Sequence, residues 1–482
     1  MTGPHRSIGL AIAALLLGAC AVGPDYQRPD LDLPSTHRVE LAQGEGRALA
    51  DIAWFDLFED AELRQLIDAA LARNLDLREA LGRILEASDR ARLAGAGPYP
   101  TIAASVNSTP SPGAGSSDTS YSAGLAFGWE LDLFGKLRSA SAAARAELLA
   151  TEEGSRAVMV SLVAGVASTY YRIRELDRRI AIVERTIESQ ADSLVLVRDL
   201  KDSGVVSAAE ENQARSLLAS SRARLPGLQR DRIIAENALA LLLGLSPQPL
   251  VSAPDRHLAP TLPPFQLGLP SDLLSGRPDI RAAERRLQAA TERVGIAIAN
   301  RFPFPTIGFS TFVGRIATPI GDLVDGGTDV LSWGPVASVP ILDFGRSRAA
   351  VGIADAQLIQ ATERYKSAVM GALRELADAA AGFEAAGTII EFTGQRAEAA
   401  AEVLRLQRQR FRQGVVAYLE VLDAERQLLA AELELSQAEF GRVQRFIELY
   451  RALGGGADEQ RLADSLDRLR QQAELPGLGT TD

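Results

Sequence analysis

Tyr121-Ser122-Ala123-Gly124-Leu125-Ala126-Phe127-Gly128-Trp129-Glu130-Leu131 alternates with a period of two. Tyr121, Ala123, Leu125, Phe127, Trp129 and Leu131 fall on one side, and Ser122, Gly124, Ala126, Gly128 and Glu130 on the other. Side chains of a strand point alternately to opposite faces. A face of aromatic and aliphatic groups backed by small and polar ones is what a membrane strand needs, over roughly 9–11 residues. A half-buried sheet on a soluble core would alternate in the same way. Thr101 to Thr109 alternates cleanly too, whereas Thr306 to Ile316 carries Phe312 out of phase. Leu331 to Ile341 keeps the parity of 121–131, with Leu331, Trp333, Val339 and Ile341 on one side. Four strands are too few to close a barrel, which takes about eight or more, so a barrel of this chain requires several copies.

The resemblance between two of these strands belongs to a larger duplication. Phe134-Gly135 recurs as Phe344-Gly345, Gly204-Val205-Val206 as Gly414-Val415-Val416, and Leu243-Gly244 as Leu453-Gly454, always at an offset of 210. Tyr99-Pro100-Thr101-Ile102 matches Phe304-Pro305-Thr306-Ile307 at an offset of 205. The expected organisation is a first repeat over 61–244 and a second over 279–454, each read as helix, two strands, long helix, turn, helix. Between them, 245–278 is rich in proline, which breaks helices, so it reads as an extended connector; Ser271 is placed to cap a short helix through Leu274. Residues 20–60 form an extended N-terminal segment and 455–482 a polar, loosely held tail.

From Lys136 to about Asp202 no proline interrupts a helical pattern. Leu176, Ile180, Val183, Ile187, Leu194 and Val197, with Gln190 in the one polar place, follow the four- and three-residue steps of a coiled-coil seam. At 1.5 Å per residue such a helix is about 100 Å long. Helices over 61–95 and 207–243 are each about half that length, and stacked end to end they match it. Ser207 with Glu210 forms a capping box at the second, and Ala417 in the other repeat lacks one. A rod of that length suits a molecule that crosses a compartment.

The first residues read as an export signal over 1–19: His5 and Arg6, then an apolar run from Ile8 to Ala19, too short to span a bilayer as a helix. It ends Leu17-Gly18-Ala19-Cys20, and Cys20 is the only cysteine, so neither an intramolecular disulfide nor a cysteine-cluster metal site is available. The spacing resembles a bacterial lipobox, in which the cysteine is diacylated and becomes the mature N-terminus; Ala21, not Asp, then implies sorting to the outer membrane. An ordinary signal peptide that happens to carry a cysteine is the alternative. The net charge of −11 argues against nucleic acid as a partner.

Several short motifs in order resemble the TolC-like outer-membrane efflux family, in its NodT-type lipoprotein subgroup. They are Cys20-Ala21-Val22-Gly23-Pro24-Asp25-Tyr26, Trp54-Phe55 with Asp60-Ala61-Glu62-Leu63, and Leu131-Asp132-Leu133-Phe134-Gly135. Arg277-Pro278-Asp279-Ile280-Arg281-Ala282-Ala283-Glu284, Leu422-Asp423-Ala424 and Leu449-Tyr450-Arg451-Ala452-Leu453-Gly454-Gly455-Gly456 continue the series. The resemblance implies a mainly helical protein with membrane strands: a homotrimer whose 12-strand barrel in the outer membrane continues as a 12-helix periplasmic tunnel. It also implies an equatorial belt made from the N-terminal segment, the connector and the tail. The implied partners are a periplasmic adaptor (membrane fusion protein), an inner-membrane pump and outer-membrane lipid, in a Gram-negative envelope. Mapped onto this chain, the periplasmic aperture falls on Leu419, Asp423 and Arg426, and the adaptor-docking turns on Gly204, Val205, Gly414 and Val415. A solvated Asp–Arg surface pair is the plainer account of Asp423 and Arg426.

Two rivals are weighed against the channel. An enzyme lacks support: the histidines are His5, His37 and His257, with no His/Cys cluster, no nucleophile elbow and no phosphate loop, so no catalytic residue, metal or cofactor is expected. A lipid-anchored coiled-coil adaptor or tether would explain the helices but not paired membrane strands in both repeats. Met1, Met159 and Met370 offer no methionine relay for copper.

Overall fold

The repeated glycines sit where the backbone turns the wrong way for other residues. Gly204 and Gly414, with φ of 79° and 72°, each follow a long helix and close it by the same pair of bonds. Val205 N–H reaches back to the Leu200 carbonyl and Val415 N–H to that of Arg410, at 2.8 and 2.9 Å. This left-handed closure is the common glycine-ended helix terminus. The computed structural model describes residues 22–34, 36, 38–39, 47–49, 52, 54–57, 60–110, 119–251, 265–267, 276–301, 303–318, 320–455 and 459–473. The expected signal segment 1–19, Cys20, Ser271 and Leu274 lie outside these residues.

In chain order the elements are β1 (Arg47–Ala48), α1 (Trp54–Leu57), α2 (Ala61–Arg73), α3 (Leu75–Ala96), β2 (Thr101–Pro110), β3 (Thr119–Leu131), α4 (Lys136–Asp202) and α5 (Ala208–Leu242). They continue as β4 (Phe265–Gln266), α6 (Pro278–Ala299), β5 (Thr306–Ala317), α7 (Asp322–Asp325), β6 (Thr328–Ser338), α8 (Arg346–Arg412), α9 (Tyr418–Ala452) and α10 (Glu459–Ala473). Helices α4 and α8 have 67 residues each, and α5 and α9 have 35 each. By compactness the chain divides into one unit of residues 1–31, 83–153 and 281–368, which holds the four-stranded sheet, and another of the remaining residues. No described helix is long and apolar enough to cross a membrane.

The sheet is antiparallel, in the order β2-β3-β5-β6, and open at both edges within the chain. Directly opposed residues of antiparallel strands share a face. The register therefore gathers Ile102, Val106, Leu125, Phe127, Trp129, Phe309, Val313, Leu331 and Trp333 on one face. Ser105, Asn107, Gly124, Ser310 and Ser332 fall on the other, together with Phe312. Its ring is accommodated there because it lies over Gly124 and Gly314, which face each other across β3 and β5. The strand expected over Leu331 to Ile341 is shifted: β6 begins at Thr328 and ends at Ser338, two residues before Pro340, which has no N–H to pair.

In the other unit the seam expected along α4 is buried at Leu176, Val183, Leu194 and Val197, with Ile180 and Ile187 partly so. Gln190 is buried there with both amide atoms unpaired. Against them pack Ala214, Leu218 and Leu228 of α5 and Val421, Leu422 and Leu429 of α9, in two clusters that each join residues of both repeats. The single helix expected over 61–95 is two. Asn74 breaks it, because its Oδ1 accepts from Leu77 N–H at 2.8 Å as the cap of α3 while its Nδ2 donates to the Leu242 carbonyl at 2.9 Å. The tail expected to be loosely held carries α10, with Leu462 buried. Arg47 and Ala48 pair in parallel with Phe265 and Gln266, joining the N-terminal segment to the connector.

Candidate functional site

The turns after α4 and α8 present apolar tips to solvent. Val205 and Val415 are 69 % and 60 % exposed, and a β-carbon on Gly204 or Gly414 would meet nothing within 4 Å. Of the two helices that leave these turns, α5 begins with the full capping box: Glu210 N–H donates to Ser207 Oγ while Ser207 N–H donates to Glu210 Oε2. In α9 no side chain caps Ala417. Instead Tyr418 is buried and its ring stands 5.1 Å from that of Phe411, so packing replaces the cap.

Charge is arranged differently at the two tips. Glu211, nearly buried, accepts from Lys201 at 2.7 Å, from Arg215 at 2.8 Å and from Arg198 at 3.2 Å. These cations, Lys201 foremost, hold its carboxyl down at about 2. At the matching places of the other repeat stand Phe411 and Val421, and the acid has moved one turn on, to Glu425, which Arg408 meets at 2.7 Å. Burial, reinforced by the Glu425 charge, pushes the Tyr418 hydroxyl up to about 12. Beside this cluster opens a cleft of about 610 Å³, lined by Arg185, Ser193, Arg408, Phe411, Tyr418 and Val421.

Leu419, Asp423 and Arg426 lie on the first turns of α9. Leu419 is 54 % exposed; Arg426 Nη2 pairs with Asp423 Oδ1, and Gln427 donates to the other oxygen at 2.5 Å. Both oxygens of Asp423 are thus held by its own helix. In the first repeat Ala209, Gln213 and Ser216 stand at these places, so the charge belongs to one tip only.

The outer membrane efflux protein family matches residues 66–245 and 269–455. The chain belongs to that family. It is 34 % identical to outer membrane protein OprJ of Pseudomonas aeruginosa over 472 residues, covering 96 % of this chain and 98 % of the relative. It is 35 % identical to the toluene efflux pump outer membrane protein TtgI of Pseudomonas putida, covering 92 % and 97 %. Among solved structures, the open state of the Neisseria gonorrhoeae MtrE outer membrane channel is similar with a TM-score of 0.81 and 31 % identity, covering 91 % of this chain and 99 % of that one. The chain is thus an outer-membrane efflux channel component, built as a helical tunnel joined to a β-barrel.

For an efflux channel, the motifs quoted above have concrete contacts. Tyr26 donates to Glu284 at 2.9 Å and Arg28 grips the same carboxylate at 2.8 and 2.7 Å, tying the N-terminal segment to α6. Arg277, buried, donates to the Ala452 carbonyl at 2.7 Å, to Asp279 at 2.6 Å and to Glu375 at 2.8 Å. Asp60 caps α2 and accepts from Tyr170 at 2.6 Å, with Glu62 paired to Arg174. The Glu211 cluster escaped the sequence reading. Its signal was present: Glu211 lies one heptad before Leu218, an acid on an apolar seam. Among the described residues no group of three His, Cys, Asp or Glu could hold a metal.

Proposed function

We propose that three copies of this chain close a twelve-strand barrel and a twelve-helix tunnel, and that the assembly conducts substrates passively from a periplasmic adaptor and an inner-membrane pump to the exterior. The supporting observation is the open sheet: β2 and β6 have 10 and 11 residues with one edge unpaired within the chain, and the face bearing Leu125, Trp129, Leu331 and Trp333 is exposed. Unpaired backbone edges and an apolar face are tolerated in a bilayer only when the sheet closes. Cys20, diacylated, anchors each copy; residues 20–60, 245–278 and 455–482 make a belt around the tunnel. The turns at Gly204-Val205 and Gly414-Val415 dock the adaptor, and Leu419, Asp423 and Arg426 narrow the periplasmic end. The protein catalyses no reaction; the pump supplies the energy.

The native mass of the protein extracted from outer membranes in mild detergent tests this reading. Three copies per particle are expected. A monomer would leave four strands unclosed and would promote the alternative, a lipid-anchored coiled-coil adaptor or tether.

A further inference from the structure

Arg315 is a cation on the apolar face of the sheet. It follows Val313 on that face of β5 and stands directly opposite Ala123 of β3 and Asp329 of β6. The row of Trp129 and Phe309 lies six residues back along β5, at the end from which α4 leaves, so Arg315 is about 20 Å further along the strand. In strands tilted by about 35–45° this is about 15 Å along a membrane normal, within an apolar band roughly 25 Å tall whose rims carry the aromatic residues. A cation at that height faces hydrocarbon unless the protein covers it. The chain covers it with its own loop. Arg315 Nε donates to Asp329 at 2.8 Å, and Nη1 donates to the carbonyl of Val324, in α7 of the β5–β6 loop, at 2.7 Å. The loop therefore folds down over the apolar face. Leu323 of α7, half-buried, overhangs a cleft of about 510 Å³ lined by Ala123, Val313, Arg315, Asp329 and Leu331, all of that face. Gly327 lets the loop close tightly on the end of β5: a β-carbon there would come within 2.9 Å of the Asp322 carbonyl oxygen and 3.2 Å of that of Ile316. The repeat offsets of 205 and 210 place Pro110 and Thr119, likewise opposed, at the positions of Arg315 and Asp329, so the first repeat has no such clip.

We infer that the β5–β6 loop is a lipid-contacting strap: Arg315 pins it against the outer wall of the barrel, Ile320 and Val324 lie in the outer leaflet, and a hydrocarbon chain of a membrane lipid occupies the cleft beneath Leu323. This rests on the reading of the apolar face as lipid-facing and adds a place where the protein grips the bilayer. Three features favour a hydrocarbon occupant. The cleft is continuous with the apolar face, through Val313 and Leu331. The strap also turns apolar side chains outward, with Ile320 58 % and Val324 75 % exposed. Its charge disfavours an anionic headgroup, since Asp322, Asp325 and Asp329 set three carboxylates against the one guanidinium of Arg315. Asp322 and Asp325 flank Leu323 and Val324 on α7, so the strap is amphipathic and suits the boundary between chains and headgroups.

A nitroxide label reads this environment, because oxygen concentrates in hydrocarbon while a nickel chelate stays in water. Full-length protein carrying Val324→Cys, Leu331→Cys, Leu125→Cys or Ser332→Cys is extracted from outer membranes, labelled and reconstituted in phosphatidylcholine vesicles, with protein lacking an introduced cysteine as background. Leu125 shares the apolar face but lies outside the cleft, and Ser332 lies on the opposite face. The ratio of oxygen to nickel accessibility at Val324 and Leu331 is expected to match that at Leu125 and to exceed that at Ser332 severalfold. Adding Arg315→Ala should drop the ratio at Val324 severalfold, toward that of Ser332, and leave Leu125 unchanged. A ratio at Val324 or Leu331 as low as at Ser332, with Leu125 in lipid, overturns the strap and leaves the barrel standing. A lipid-like Val324 that Arg315→Ala does not move overturns the role of Arg315 as its pin. A low ratio at Leu125 itself overturns the lipid-facing reading and the strap together.

Discussion

The ring of Phe312 lies against Gly124: a β-carbon on residue 124 would come within 2.8 Å of the ring tip, and within 2.6 Å of Gly314 Cα. Gly124→Ala must therefore displace both an aromatic ring and the backbone of the facing strand. Gly128→Ala, on the same strand and face, would meet only Thr101 Oγ1 at 3.5 Å, an ordinary contact. Overpacking of this kind costs about 1–3 kcal/mol. Outer membranes carrying Gly124→Ala should yield less trypsin-resistant, heat-modifiable protein than wild type, with Gly128→Ala unchanged. Equal yields from the two variants would contradict the packing of Phe312.

That pair also marks where the sequence stops being readable. The parity of Tyr121 to Leu131 is local, so the strand and its apolar face were legible from it. Phe312 looked out of phase because the glycines that accommodate it belong partly to another strand. Asn74 looked like one more helical residue because the carbonyl it binds, that of Leu242, is 168 residues away. The seam of α4 and the place of Asp423 beside Arg426 were legible, since both follow from helical spacing. The acid of Glu425 was not, because Arg408 meets it across the turn and the first repeat, with Arg215 there, gives no hint of it.

Arg277 ties three chain segments together and should tolerate lysine poorly. Its planar fork reaches Asp279, Glu375 and the Ala452 carbonyl at once, which a single ammonium cannot reproduce. Arg277→Lys cannot keep all of these bonds, and if the buried Ala452 carbonyl is the acceptor left unmet the cost is about 1–3 kcal/mol. The expected outcome is a lower midpoint of thermal unfolding by near-ultraviolet circular dichroism. A midpoint equal to wild type would show that the fork is dispensable.

The tip at Gly204 should be insensitive to mild acid. The Glu211 carboxyl is held at about 2, below its unfolded value of 4.5, by Lys201, Arg198 and Arg215. A depressed folded value means the ionised form stabilises the fold above pH 4.5 and is lost as pH falls through about 2. Between pH 7 and 5 the turn at Gly204 should keep constant amide-exchange protection, after correction for intrinsic rates. Glu211→Gln should lower that protection at pH 7, since Lys201, Arg198 and Arg215 then lose the carboxylate they share. Unaltered exchange in Glu211→Gln would remove the cluster from any role in holding the tip.

Asp423 tests the proposed aperture. Its carboxylate is held by Arg426 and Gln427 of its own helix, and both it and Arg426 are substantially exposed. An exposed pair of this kind adds well under about 1 kcal/mol to stability, so Asp423→Ala should leave the melting temperature within error. Its effect should appear in the pore. Three acidic side chains near the threefold axis would repel anions, and their removal would free Arg426 and reverse the local charge. Single-channel conductance in planar bilayers should rise, and the preference for cations over anions should fall. Leu419→Ala, which removes bulk without charge, should raise conductance and leave ion preference alone. If neither variant changes conductance or selectivity while the trimer stays intact, the narrowest part of the pore lies elsewhere and Asp423 is a surface pair.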